Sequence, residues 1–395
     1  MHTPFSVRGL ACEVMAASLD DALSGSVVAN MLEEARPKLI YTQVPKDAST
    51  AAELKRRLTM WKEGQFEELL ARIESQSFAV FESRRRKRGP TPVSEQGKQA
   101  RAQRLAADGA LSKAVQSLGE SPPTLSPAEQ RSWADTLLPL SRFPQDAICS
   151  SPTGNSATAE EQQQQPVYGT DASQHPLKGI RFAALSAPGP SGARPEHIKE
   201  ALQAKSRVLT GKLLKAIGRL ERMAVAGKLP DSMRWITRSR LIFLKKATGN
   251  KPRPIRIGEL LRRIIGKHMA HGHRSEFSAV FGSMRQWGVG TPGGCEGLVH
   301  FRQLIEQAAT DGAIDPVVCL DLDLENCFCT VEWHQMRLDV ASRVPTLLPW
   351  LQWAHGAAAE VVLPSQAEVH IDRGAEQGEP LVSAYASVGI GGGVC

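Results

Sequence analysis

The sequence predicts an α+β fold. A mostly helical, basic N-terminal region at 1–147 precedes a low-complexity linker at 148–177 and a mixed region at 178–395. Three observations carry this. Apolar residues recur at three- and four-residue intervals among charges between 48 and 78. The stretch 150–175 has no periodicity and holds Gln162 to Gln165 beside Ser, Thr, Gly and Pro. Beyond it, short apolar runs bounded by turn residues alternate with helical text.

In chain order, Leu54, Leu58, Trp61, Phe66, Leu69, Leu70 and Ile73 predict one helix over 48–78. The basic run Arg84 to Arg88 follows and ends at Gly89-Pro90. A second helix is expected over 95–118, with Gly119 as its stop, and a third starts at Ser126-Pro127. The linker carries too little apolar surface to offset the entropy of ordering it. After it, Ala187 to Gly192 forms a rigid turn before helical text from Pro195, and 207–228 reads as helix. Arg240 to Lys246 is a strand entering the turn Thr248-Gly249-Asn250, and Arg253 to Ile257 returns as its partner. Leu260, Leu261, Ile264 and Ile265 then mark one face of a helix, with Arg262, Arg263 and Lys267 away from it.

Composition bounds the function. At 395 residues the chain can hold two or three domains, and 42% hydrophobic with 23% charged residues is ordinary for a globular protein. A net charge of +7 favours an anionic partner. The seven cysteines are odd in number and include no C-x-x-C pair, which argues against a disulfide framework or a zinc finger and for a reducing compartment. No apolar run reaches the roughly 18 residues of a membrane helix. The first residues have no signal-peptide apolar core.

The apolar run Pro316 to Asp323 suits a buried strand, and a carboxylate at its end is costly unless it binds something such as a metal ion. With a strand period of two, Asp321 and Asp323 share a face. Alone, the pair reads either as metal ligands or as solvated residues at a strand end. Phe328, five residues on, reads as a site aromatic or as a core residue. Lys245, Lys246, Lys251 and Arg253 put cations on both sides of a β-turn, which fits a triphosphate clamp or a plain basic hairpin. The string Gly288 to Gly293 is G-x-G-x-x-G, yet no strand precedes it and Pro292 interrupts it, so it is not a dinucleotide fingerprint. His268, His271 and His273 lack Cys or acidic companions at metal-site spacing and read as a polar helix end.

Together these segments resemble the reverse transcriptase of non-LTR retrotransposons. Asp323, Asn326, Phe328, Thr330 and Val331 match its D-x-x-N-A-F-N-x-V pattern, with Cys327 in place of Ala and Cys329 in place of Asn. Gln377-Gly378-Glu379-Pro380-Leu381 matches Q-G-D-P-L, with Glu379 for Asp. Gly189 to His197 resembles the opening G-P-S-G-x-R-x-E-H block. The Lys245-Lys246 and Arg253-Pro254-Ile255 text matches the fingers, and Gln286 to Gly294 resembles a further block before the catalytic strand. The blocks run in consistent order from about 187 to 381.

The resemblance implies right-hand polymerase fingers and a partial palm after the helical N-terminal region. It implies RNA-directed DNA synthesis by two-metal nucleotidyl transfer, with Mg²⁺ ions about 4 Å apart. Asp323 is then the catalytic metal ligand with Asp321 as a neighbour. Lys246 and Arg253 hold the triphosphate, Phe328 gates the sugar, and Gln377 and Gly378 contact the template–nucleotide pair. The implied partners are an RNA template, a DNA primer and deoxynucleotide triphosphates. The location is intracellular, and nuclear if Arg84 to Arg88 is a localisation signal.

Polymerases of this family carry a second carboxylate motif, an Asp-Asp hairpin. No Asp-Asp follows Leu381 here. The expectation is therefore a chain truncated within the palm that lacks the thumb and is inactive alone. The alternative is a non-catalytic nucleic-acid-binding remnant of such an element.

Overall fold

The computed structural model of the chain describes residues 2–42, 49–85, 99–100, 102–103, 126–137, 177, 180–183, 186–244, 252–318, 327–364, 367–376 and 378–390. The described residues form a mixed, mostly helical α/β structure with one four-stranded sheet.

The N-terminal helices are α1 (Arg8–Leu23), α2 (Val27–Tyr41), α3 (Thr50–Lys62) and α4 (Phe66–Arg85), followed by α5 (Pro127–Leu137). The single helix expected over 48–78 is thus two helices. Gly64 adopts φ 75°, a left-handed conformation that ends α3 and lets α4 fold back on it. The predicted periodicity still places Leu54, Leu58, Trp61, Leu69 and Ile73 in the core, whereas Leu70 is exposed. α5 starts at Pro127, after Ser126, as expected, and it is capped: Ser126 N–H donates to Glu129, and Glu129 N–H donates to Ser126 Oγ. The helix expected over 95–118 and the linker lie almost wholly outside the described residues.

After the linker come α6 (Pro195–Ala201) and α7 (Arg207–Val225), the latter capped by Ser206. A 3₁₀ segment, Asp231–Thr237, leads into β1 (Ser239–Leu244) and β2 (Arg253–Gly258). These strands pair antiparallel, Ser239 opposite Gly258 and Leu244 opposite Arg253, as the sequence predicts. Next are α8 (Leu260–Gly272), α9 (Arg274–Ser283), α10 (Gly294–Thr310), α11 (Cys327–Thr330), α12 (Trp333–Arg343) and α13 (Leu348–Ala354). Strands β3 (Ala359–Val362) and β4 (Glu368–Ile371) complete the sheet in the order β2-β1-β3-β4, with β1 and β3 parallel, and α14 (Val382–Ile390) follows.

The N-terminal helices and the region after the linker share one core, which joins Val14, Leu19 and Leu58 to Leu213, Ile217, Leu241 and Trp350. Polar ties run across it. Asn30 bonds Ser232 and Trp235, Tyr41 stacks on His197 at 3.7 Å, and Arg238 binds Glu34 of α2 together with Glu360 and Glu368 of the β3–β4 hairpin.

Of the strand predicted into Asp323, 319–323 lie outside the described residues, and its start at Val317 and Val318 is exposed coil, with Val318 96% exposed. One further expectation is corrected. Arg262, expected on the solvent side of α8, is buried at 2% exposure, because two acids from a distant segment meet it there.

Candidate functional site

The segment after β4 turns back under the sheet because glycine permits it. Gly374 has φ 75°, and a Cβ there would lie 2.5 Å from the Cys329 carbonyl oxygen. This close approach lets Gly374 N–H donate to Val331 O at 2.7 Å and Ala375 N–H to Phe328 O at 2.5 Å. Trp333 Nε1 donates to Gly374 O at 2.7 Å. The chain around Phe328 and the chain leading to Gly378 are therefore stitched together by backbone bonds.

Residues 376–379 form a turn closed by Glu379 N–H to Glu376 O at 3.0 Å. Gly378 sits near its tip, exposed, with φ 101°. Both flanking acids point inward. Arg262 of α8 donates to Glu379 at 2.7 Å and to Glu376 at 3.2 Å, and also to the Thr237 carbonyl and to His355 Nε2, each at 3.2 Å. Burial holds His355 neutral, its pKa well below the usual value, so its ring can accept from the guanidinium. Burial also pushes Glu376 up to about 7, against the opposing pull of Arg262. The two acids keep Arg262 firmly protonated in spite of its own burial.

The same vertex receives the other matched segments. Gly258 at the end of β2 lies against the Glu376 carboxylate, where any side chain would collide. Its successor Glu259 accepts Ser191 N–H and Ser191 Oγ–H, both at 2.6 Å, which clasps the Gly189–Gly192 turn onto the β2–α8 junction. Burial pushes Glu259 up to about 7. Gly266 of α8 leaves room for Pro380, whose ring would be 3.1 Å from a Cβ at that position.

The sequence-predicted residues fare unequally. Phe328 is half-buried on α11 and Gly378 is exposed at the turn, so the structure brings their segments together. Arg253 is exposed at the far end of β2 from Gly258, about 17 Å away at 3.4 Å per residue. The structure does not set it against the turn. Asp321, Asp323, Lys245, Lys246 and Gln377 lie outside the described residues. The Gln286–Gly294 block packs elsewhere, with Gly290 against Phe277 and Trp287 edge-on to Phe301 at 6.1 Å. At the α8 end, His273 is buried and its Nδ1 lies 2.8 Å from the Met269 carbonyl, while His268 Nδ1 is 3.4 Å from Glu221.

Among the described residues no group of three His, Cys, Asp or Glu could hold a metal ion. Glu376 and Glu379 are bonded to Arg262, so these described acids do not themselves fit Mg²⁺. Sequence reasoning missed Arg262. The available signal was the pair of acids flanking Gln377-Gly378, since two carboxylates buried three residues apart require a cation.

Among the described residues no helix is long and apolar enough to cross a membrane. No family model matches the chain, and no curated protein matches it.

Proposed function

We propose that this chain carries fingers and palm segments of an RNA-directed DNA polymerase of non-LTR retrotransposon type. The observation that carries the reading is the convergence at one vertex of three segments matched independently in sequence. They are the Gly189–Gly192 block at Glu259, the Phe328–Val331 segment, and the Glu376–Leu381 turn with its exposed Gly378. They lie more than a hundred residues apart at their extremes, so local sequence alone does not bring them together.

In this reading the turn offers Gln377 and Gly378 to the template–nucleotide pair, and Phe328 bounds the sugar. Lys246 and Arg253 grip the triphosphate, with Arg placed for bidentate contact. Mg²⁺ would neutralise phosphate charge during transfer, and its ligands would be Asp323 with Asp321 beside it. The proposed partners are an RNA template, a DNA primer and deoxynucleotides. Arg84 to Arg88 is proposed as a nuclear localisation signal.

One observation favours a non-catalytic, nucleic-acid-binding role for this chain. Val317 and Val318, at the start of the run toward Asp323, are exposed coil. A primer-extension assay on an RNA template separates the readings. With one Asp motif and no Asp-Asp after Leu381, the 395-residue chain is expected to extend no primer with Mg²⁺ or Mn²⁺. Extension abolished by Asp323→Ala would overturn the non-catalytic assignment. Both readings require binding to an RNA–DNA hybrid that weakens steeply between 50 and about 200 mM salt as counterions re-associate. A chain that binds no hybrid at the lower salt refutes both.

A further inference from the structure

A cavity lies on the opposite side of α8 from the Arg262 turn. It encloses about 700 Å³, within the range of small-molecule sites. Its floor is apolar, made by Leu260 and Ile264 of α8 with Ile198 of α6 and Leu202 just after it. Leu260 and Ile264 are one helical turn apart and share a face. Arg262, two residues from each, points to the other side.

The mouth is cationic. Arg181 and Lys199 are exposed, and neither takes part in an ion pair among the described residues. Arg8 reaches the same mouth, anchored by bonds to Thr3 O and Gln203. Phe182 forms one wall, with Arg263 and Lys267 on its ring at 5.2 and 5.1 Å. The facing acids are Glu196 and Glu200. Glu200 is turned toward the N-terminus, with His2 Nδ1 and the Thr3 N–H each at 2.5 Å from its carboxylate.

An apolar floor, an aromatic wall and unpaired cations at the rim suit a ligand that is flat and apolar at one end and anionic at the other. We propose that this cavity binds a nucleotide unit. The base lies on the floor beside Phe182, and the phosphate is held by Arg181 and Lys199. Base–aromatic stacking and phosphate contact are the two contributions that single-stranded nucleic-acid sites combine. The unit could come from a free mononucleotide or from a single strand threaded across the mouth. The inference does not depend on the polymerase reading, because it uses none of the matched motif residues named as site residues above.

The test uses the full chain with two labelled probes, AMP and a twelve-nucleotide oligouridylate. Both are measured by fluorescence anisotropy, with inorganic phosphate as competitor. At least one probe is expected to bind, and the double variant Arg181→Glu/Lys199→Glu should weaken it at least tenfold. Phe182→Leu should weaken nucleotide binding while leaving competition by phosphate intact. Tighter binding of the strand than of AMP assigns the site to nucleic acid, and equal binding assigns it to the free nucleotide. Both substituted cations are exposed, so circular dichroism is expected to show an unchanged fold. The proposal is overturned if neither probe binds, or if binding is indifferent to the double variant. Arg302→Ala, exposed on α10 and paired with Glu306, serves as the control and should leave binding unchanged.

Discussion

Replacing Arg262 with Met removes the one cation that touches both acids of the 376–379 turn. Glu379 and Glu376 side chains are 1% and 5% exposed, at 2.7 and 3.2 Å from the guanidinium. Without it, two carboxylates three residues apart remain buried, with Arg256 and the more distant Arg263 as partly compensating charges. The Thr237 carbonyl and His355 Nε2 also lose their donor. Breaking a buried ion pair from one side costs roughly 3–5 kcal/mol. That is a large part of a typical total stability of about 5–15 kcal/mol. The loss should be larger at pH 8 than at pH 5.5, because Glu376 already titrates at about 7 and protonation relieves the uncompensated charge. Urea denaturation at the two pH values measures both effects. Adding Glu379→Gln to Arg262→Met should recover part of the loss by removing a stranded charge. If Arg262→Met is too unstable to purify, Arg262→Lys keeps the charge but not the fork and should fall in between. A loss below about 1 kcal/mol, the scale of an exposed pair, would refute the reasoning. So would a loss equal at both pH values.

Two further outcomes concern stability. Glu221, buried between α7 and α8, is pushed up to about 8 by burial, so the folded state binds more protons than the unfolded state between pH 4.5 and 8. Stability therefore falls as pH rises through that window. The opposing contribution from buried neutral His197, lowered to about 2, is complete by its unfolded value near 6.5. Between pH 6.5 and 8 Glu221 should cost roughly 2 kcal/mol, with smaller losses of the same sign from Glu259 and Glu376 up to about pH 7, and Glu221→Gln should lessen that slope in thermal melts. An unchanged slope would mean the group is solvated. Gly374→Ala places a side chain at positive φ and against the Cys329 carbonyl, so it should destabilise by about 1–3 kcal/mol. Gly378→Ala, with no atom within 4 Å of its Cβ, should cost less. Equal costs would show that steric closeness at Gly374 is not what fixes the turn.

Legibility followed the range of the interaction. Helix α7, the β1–β2 pairing and the start of α5 were readable because periodicity, Gly-Asn turn residues and a proline in the first helical turn act within a few residues. The split at Gly64 was missed because apolar periodicity continued across it, while the break depends on one backbone angle. Arg262 was misplaced because α8 buries two faces, one against Leu260's neighbours and one against acids more than a hundred residues on. The shared core between the N-terminal helices and the region beyond 178 was likewise unreadable, since it depends on tertiary packing across the linker. The matched motifs around Phe328 and Gly378 lie on segments joined by backbone hydrogen bonds. They gave no hint that Arg253 stands at the opposite end of β2.

The central claim is that the motif series grips a nucleotide triphosphate. The most direct test is binding of a fluorescent deoxynucleotide triphosphate to the full chain with Mg²⁺, by anisotropy. The account predicts measurable binding. Arg253→Ala should raise Kd about tenfold or more, as expected for loss of a charge-assisted contact of roughly 1.5–3 kcal/mol. Asp323→Asn should weaken the Mg²⁺-dependent part. Arg302→Ala, exposed on α10 and paired with Glu306, should change nothing. No binding by the unaltered chain, or equal affinity in all three variants, would contradict the account.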